Sequence, residues 1–215
     1  MSGTGSSAGE RLNELLSNAG LAQLDTAKAG QFEVYLSLFV RWSAKINLTS
    51  VRDEEGILSR HLIESIACAR ALPTGISTLL DLGSGGGFPG IPIALCRPEI
   101  AVTLAESQGK KAAFLQEAVR VLGISAKVHG QRAELLATRF DCVTLRAVDR
   151  MAKAVAVAGE LVAPGGWLAL MTTRGELAEL QNAAGAGFSW SSVVQLPGGD
   201  ERLLALGERD VSLPV

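Results

Sequence analysis

The chain has 215 residues, a formal net charge of −2 at pH 7, and 47% hydrophobic residues with only 5% aromatics. That length supports one sizeable domain with an extension, and the slight acidity argues against an indiscriminate nucleic-acid binder. No apolar run reaches the roughly 18 residues a membrane helix needs, and the start MSGTGSSAGE lacks the apolar core of a signal peptide, so a cytoplasmic protein without membrane attachment is expected.

In chain order, the Gly/Ser-rich residues 1–9 read as a disordered tail. Residues 10–75 read as a helical extension. Leu12, Leu15, Leu16 and Ala19 fall at i, i+3, i+4 and i+7. Asp25 caps a second predicted helix that carries Phe32, Tyr35, Leu36, Phe39 and Ile46 on one side. Asp53 caps a third, with Leu58, Leu62, Ile66 and Ala69 on one side and Pro73 ending it. Gly75 marks the boundary of a domain spanning 76–210.

In that domain short apolar runs, at 77–82, 101–106, 126–130, 140–145, 167–172, 188–196 and 202–207, alternate with helical periods. The predicted helices are 90–96, 107–122, 131–137, 149–162 and 175–184. Such alternation predicts an α/β fold with a seven-stranded, mostly parallel sheet covered on both faces. Pro197-Gly198-Gly199-Asp200 reads as a hairpin-like turn, so the sheet closes on a C-terminal antiparallel strand. Cys68, Cys96 and Cys142 lie far apart in apolar surroundings, and only two histidines occur; buried free thiols and no metal site are expected. Charge is uneven. From Glu106 to Lys153 nine basic residues face five acids, whereas from Glu160 onward three face seven, so a local positive face is open to the fold.

The stretch LLDLGSGGGFPGIPIAL, residues 79–95, carries two overlapping glycine patterns. Gly85-Gly86-Gly87-Phe88-Pro89-Gly90 fits G-x-G-x-x-G, the dinucleotide fingerprint of a nicotinamide-dependent oxidoreductase. Asp81-Leu82-Gly83-Ser84-Gly85-Gly86-Gly87 fits D-x-G-x-G-x-G, the first motif of enzymes that bind S-adenosylmethionine. The strand ends near Asp81-Leu82, so the turn starts at Gly83, and the sixth residue from there is Phe88 where a dinucleotide fold wants glycine. The dinucleotide frame needs the strand extended through Gly83-Ser84, a poor strand sequence. Glu106, at the end of the second strand, suits a ribose diol in either cofactor. Leu161-Val162-Ala163-Pro164-Gly165-Gly166-Trp167-Leu168 has the L-x-P-G-G-x-L form found before the fifth strand in many class I methyltransferases. The pieces in this order favour a class I S-adenosylmethionine-dependent methyltransferase, Rossmann-like, with an N-terminal helical extension. A small-molecule methyltransferase of the same fold stays open as an alternative.

LFVRWSAKINLTSVRDEEGILSRHLIES (38–65), DLGSGGGFPGIPIAL, ESQGKKAAFLQEA (106–118) and RAELL (132–136) resemble the bacterial small-subunit ribosomal RNA guanine-N7 methyltransferase family, also labelled glucose-inhibited division protein B. The resemblance covers most of residues 10–207. It implies S-adenosylmethionine as methyl donor and N7 of a guanine in the 530 loop of 16S rRNA as target. The partner is then 16S rRNA or the small subunit, met by a monomer. The sequence carries no N-P-P-Y motif for an exocyclic amine and no Pro-Cys nucleophile for cytosine, in keeping with a target that needs no base.

On that resemblance Gly83, Ser84, Gly85 and Phe88 line the methionine half of the cofactor, and the amides at the following helix start suit its carboxylate. Glu106 accepts from the ribose hydroxyls, Ala133 and Glu134 lie near adenine, and Arg146 matches another binding position; a surface ion pair is the other reading of Arg146. Asp81 either orients the glycine loop or is purely structural. Lys110 and Lys111, in the first turn of a helix capped by Ser107, oppose its dipole, which either RNA phosphate offsets or the fold tolerates. Arg174 and Arg202 reach toward the cofactor face as further RNA contacts. The family's lysine near the end of the fifth strand is missing from Met171-Thr172-Thr173-Arg174, so its role is in doubt or passes to Arg174. His61, beside an apolar stripe, reads as a hydrogen-bonded structural histidine. Arg41, Lys45, Arg52 and Arg60 form either an RNA-facing surface or a solvated side.

Overall fold

The computed structural model describes residues 6–51, 53–199 and 201–211. Residues 1–5 of the expected tail, Arg52 and Asp200 lie outside the described residues. Ala8 and Gly9 are already helical. Ser7 caps α1 (Ala8–Asn18) by accepting from the Glu10 N–H, and the Glu10 carboxylate accepts in return from the Ser7 N–H. This capping box starts the first helix ahead of the expected residue 10.

α2 (Thr26–Ser43) is capped by Asp25 as expected, Oδ1 accepting from the Lys28 N–H at 2.8 Å, and Ile46 lies beyond its end. Asp53 caps α3 (Glu54–Gly56) in the same way. The third predicted helix is not regular. It passes from α3 through a π-helical stretch, Ile57–Leu62, into α4 (Ile63–Ala71). The wide turn buries Leu58 and Leu62 while Arg60 stays exposed, an arrangement that π-turns supply at functional sites.

The strands are β1 (Thr78–Leu82), β2 (Ala101–Ala105), β3 (Ala126–His129), β4 (Phe140–Arg146), β5 (Val162–Thr173), β6 (Phe188–Gln195) and β7 (Arg202–Arg209). They form one seven-stranded sheet of order β3-β2-β1-β4-β5-β7-β6. β1 to β5 pair in parallel, and β7 runs antiparallel between β5 and β6. α5 (Gly90–Cys96), α6 (Gly109–Leu122), α7 (Met151–Leu161) and α8 (Leu177–Ala184) cover the faces. Alternate residues divide the core as strand geometry requires. Leu79, Val102, Leu104 and Cys142 face the extension, α5 and α6, whereas Leu80, Leu82, Val143 and Leu145 face α7 and α8.

The helix expected at 131–137 is only a 3-10 turn, Ala133–Leu135. The stretch has no apolar face to bury: Ala133 is 6% exposed, but Leu135 is 66% exposed. β5 starts earlier than 167, because a register shift between Phe140 and Cys142 lets Val162 pair before the Pro-Gly-Gly segment and Trp167 after it. The three cysteines are free, and burial pushes the Cys68 thiol up to about 12 and that of Cys96 up to about 11.

The extension is welded to the domain rather than tethered to it. Phe39 meets Phe88 at 5.3 Å and Phe114 at 6.0 Å between ring centroids. The Trp42 indole donates to Glu117 Oε2 at 2.9 Å, and the Tyr35 hydroxyl donates to the Gly86 carbonyl at 2.5 Å. One core therefore runs from α1 and α2 to the sheet, and it holds the loop between β1 and α5 from outside.

Candidate active site

β1 ends at Leu82, and the chain turns at Gly83 with φ 74°. A Cβ there would lie 2.7 Å from Val148 Cγ2, so conformation and space both require glycine. The Gly83 and Ser84 N–H groups donate to the Ala105 carbonyl at 2.9 and 3.1 Å. Asp81, 1% exposed, accepts from the Thr144 hydroxyl at 3.0 Å and from the Gly90 N–H at 3.1 Å. It thus ties β1 to β4 and to the start of α5. Burial pushes its carboxyl up to about 6, against the pull of its hydrogen bonds and of Arg146.

These bonds correct one expectation. The start of α5 offers no free amides to a carboxylate: Pro89 and Pro92 have none, Asp81 takes that of Gly90, and the Gly87 carbonyl takes that of Ile91 at 2.8 Å.

A cavity of about 920 Å³ opens beyond the carboxyl ends of the parallel strands. It lies toward the upper end of the ~300–1,000 Å³ range of small-molecule sites, with room for a cofactor and a target group. Gly83, Ser84, Gly85, Phe88, Glu106, Ala133, Glu134 and Arg146 all line it. So do Lys111 and Arg202, while Lys110 and Arg174 are exposed outside its lining, the Arg174 guanidinium lying 3.5 Å from Gln195 Oε1.

Glu106 is 7% exposed. Its Oε2 accepts from the Gly85 N–H at 3.0 Å and its Oε1 from the Gln108 N–H at 2.7 Å. An ionised carboxylate has about four acceptor sites, so two remain for a ribose diol. These acceptors therefore fit the ribose of S-adenosylmethionine on this side. The same bond corrects the expected Ser107 cap: α6 begins at Gly109, its N-cap is Gln108, and Glu106 takes the orphan amide. Lys110 and Lys111 do lie in its first turn.

The opposite wall holds a group that the sequence reading missed. Glu64 is 1% exposed, on a helix buried all round from Ile63 to Ala69. Its Oε2 accepts from Arg146 Nη2 at 2.6 Å, and the same nitrogen donates to the Arg60 carbonyl at 2.6 Å. With its side chain 7% exposed, Arg146 forms a buried ion pair, not a surface one. Burial raises the Glu64 carboxyl and lowers Arg146, but three nearby guanidinium groups favour the carboxylate, and the contact keeps the pair ionised. Glu64 falls off the stripe of Leu58, Leu62, Ile66 and Ala69, so no local pattern announced it.

His61 is hydrogen-bonded as expected, its Nε2 lying 2.7 Å from Thr49 Oγ1, and it also lines the cavity. Its ring stacks on Phe88 at 4.9 Å and 23°. Burial, and then the charges of Arg146, Arg60 and Arg202, push its pKa down to about 3, so the ring is neutral at physiological pH. Of the basic residues of the extension, Arg41 pairs with Glu117 across α2 and α6, Lys45 is exposed, and Arg60 lines the cavity.

The family model for rRNA small subunit methyltransferase G (GidB) matches residues 28–197. The chain is 42% identical over 203 residues to the ribosomal RNA small subunit methyltransferase G of Xanthomonas campestris pv. campestris, covering 91% of this chain and 94% of that one. The chain belongs to this family. The corresponding protein of Xanthomonas oryzae pv. oryzae is 48% identical over 151 residues, covering 69% of this chain and 70% of its own. Solved structures share the fold alone. TrmN from Thermus thermophilus aligns with a TM-score of 0.53 at 21% identity, covering 71% of this chain and 53% of that one. The ribosomal protein L11 methylase of Lactobacillus delbrueckii subsp. bulgaricus aligns at 0.56 and 14%, covering 68% and 77%. The domain is a class I methyltransferase fold, and membership of this family implies a methyl donor rather than a nicotinamide. Among the described residues no helix is long and apolar enough to cross a membrane.

Proposed function

We propose that the protein transfers a methyl group from S-adenosylmethionine to N7 of a guanine in the 530 loop of 16S rRNA, acting as a cytoplasmic monomer on the RNA or on the small subunit. The observation that carries the RNA part is the placement of charge. Seven Lys/Arg and three Asp/Glu line the cavity of a chain whose net charge is −2. A neutral metabolite gains nothing from that surplus, whereas a polyanion does.

Proton chemistry supports N7. Among the described lining residues, His61 has its pKa pushed down to about 3, and Glu106 is engaged by two backbone amides. The neutral His61 ring is thus not tuned to remove a proton near neutral pH, and the Glu106 oxygens are held by the loop amides. N7 of guanine presents a lone pair with no proton to lose, so catalysis reduces to proximity, alignment and electrostatics. When bound, S-adenosylmethionine supplies an electrophilic methyl group on a sulfonium. Gly83, Ser84, Gly85 and Phe88 surround its methionine half, Glu106 accepts from its ribose, Ala133 and Glu134 flank its adenine, and Arg146 closes the site from the end of β4. Lys111 and Arg202 contact RNA at the cavity, with Lys110 and Arg174 further out.

The test is deletion of the gene followed by mapping of N7-methylguanine in 16S rRNA. The modification disappears and returns with the wild-type chain but not with Glu106→Ala. Persistence of the modification in the deletion strain refutes the reading.

A further inference from the structure

Resting on that reading, we propose that Arg60 and Arg202, set around the buried Glu64–Arg146 pair, form a subsite for a phosphate of the RNA substrate. Three guanidinium groups surround one carboxylate, and their bonding is incomplete. Glu64 Oε2 is taken by Arg146 at 2.6 Å, but buried Oε1 has no hydrogen bond, and Arg202 Nε stands 3.9 Å from it, beyond hydrogen-bond range. Arg146 Nη1 is buried without a partner. The Arg60 guanidinium makes no hydrogen bond or ion pair among the described residues, since only its backbone carbonyl engages Arg146. The cluster carries two surplus positive charges: Arg146 is buried on Glu64, while Arg60 and Arg202 keep access to solvent, where an incoming anion can reach them.

The position favours phosphate of the RNA over the carboxylate of the cofactor. Arg202 opens β7 and pairs with Thr173 at the end of β5. In the strand order β7 lies three strands from β1. That places the Arg202 backbone about 14 Å from β1 at the usual inter-strand spacing, while Arg146, on β4 beside β1, joins the subsite to the cofactor side. The glycine loop and Glu106, the parts suited to the cofactor, sit at the ends of β1 and β2. The two non-bridging oxygens of a backbone phosphodiester match forked guanidinium donors, and the anchored Arg146–Glu64 pair keeps the fork from collapsing. Because the surplus also faces His61, a neutral ring there avoids adding a further charge.

The test uses the full chain with small ribosomal subunits lacking the modification, and compares wild type with Arg60→Ala, Arg202→Ala and Arg202→Lys. Arg60→Ala leaves the backbone carbonyl on Arg146 in place. Each alanine variant is expected to bind subunits about 10-fold more weakly near physiological salt, with the logarithmic salt slope reduced by about 0.7–0.9. Arg202→Lys keeps most of the slope. Affinity for S-adenosylhomocysteine, measured by calorimetry, stays within about twofold of wild type in all three. Unchanged salt slopes overturn the subsite. A parallel loss of S-adenosylhomocysteine affinity in correctly folded variants also overturns it, because the cluster then serves the cofactor's carboxylate. Wild-type protein that methylates subunit RNA alongside an Arg202→Ala variant of equal affinity sinks only the subsite. Wild type that methylates no small-subunit RNA sinks the functional reading and the subsite with it.

Discussion

Replacing His61 with phenylalanine should shift the stability difference in the variant's favour by about 2 kcal/mol between neutral and mildly acidic pH. The folded-state pKa of His61 is pushed down from 6.5 to about 3, by burial first and by Arg146, Arg60 and Arg202 next. A group depressed in this way contributes stability above its unfolded pKa and loses it as pH falls through 6.5 toward 3. Each pH unit costs about 1.4 kcal/mol, so descending to about pH 5 removes roughly 2 kcal/mol. Phenylalanine keeps the ring stacked on Phe88 but gives up the 2.7 Å bond to Thr49. That bond is worth about 1 kcal/mol net. Phenylalanine also removes the buried Nδ1, which has no partner, and this offsets the lost bond. The two chains should therefore be close near pH 7.5, and the variant should lead by about 2 kcal/mol near pH 5. Asp81 works in the opposite direction: its folded pKa of about 6 exceeds 3.8, so its buried-charge cost is present above 6 and fades as pH falls. Both chains carry Asp81, so its effect cancels in the difference. Urea unfolding across this pH range, with unchanged m values, measures the gap. A gap that stays constant with pH refutes the account of His61.

Asp81→Asn removes the opposing titration, so the wild type should gain about 2 kcal/mol on the variant between about pH 7 and pH 4.5, read from urea midpoints. Glu106→Ala should weaken S-adenosylhomocysteine binding at least about 10-fold in calorimetry, through lost charge-assisted hydrogen bonds, and leave the salt slope of subunit binding intact. Lys111→Ala should reduce that salt slope by about 0.7–0.9, and Lys110→Ala by less, because only Lys111 lines the cavity. Gly90→Ala should destabilise the fold by about 2 kcal/mol in denaturant titration. Its Cβ would press on Leu104 and lie 2.6 Å from Asp81 Oδ2, where no backbone shift is cheap.

Local signals in the sequence carried far. Asp25 and Asp53 marked helix starts because capping is a contact over three residues. The strand end at Leu82 selected the glycine frame because side-chain type alone separates β1 from its turn. What stayed hidden depends on partners distant in the chain. Arg146 and Glu64 are 82 residues apart, and nothing near either one announces that they meet in the core. The turn at 133–135 has helical composition, but it lacks a surface to bury against. The π-helical stretch preserves an apolar stripe that reads as an ordinary helix, since one residue of extra width shifts a periodicity by less than a short window resolves.

The hidden features share a place and a cost. Asp81, Glu64 and His61 are ionisable groups held in or against the core, each with a pKa displaced by burial. Apolar residues of similar size would often leave a protein at least as stable. Yet each of the three fixes something that an apolar side chain could not. Asp81 takes the Gly90 amide and ties β1 to β4, Glu64 holds the Arg146 guanidinium at the cavity wall, and His61 bridges Thr49 to the ring of Phe88. Phe88 in turn packs on Tyr35 and Phe39 of the extension. The glycine loop is therefore gripped from the sheet by Asp81 and from the extension by Tyr35, Phe39 and His61. A loop whose glycines leave its backbone intrinsically free is rigid only because of these contacts. The helical extension is thus part of what shapes the glycine loop: on the proposed function, changes to α2 that leave the sheet untouched should loosen methyl-donor binding before they unfold the domain.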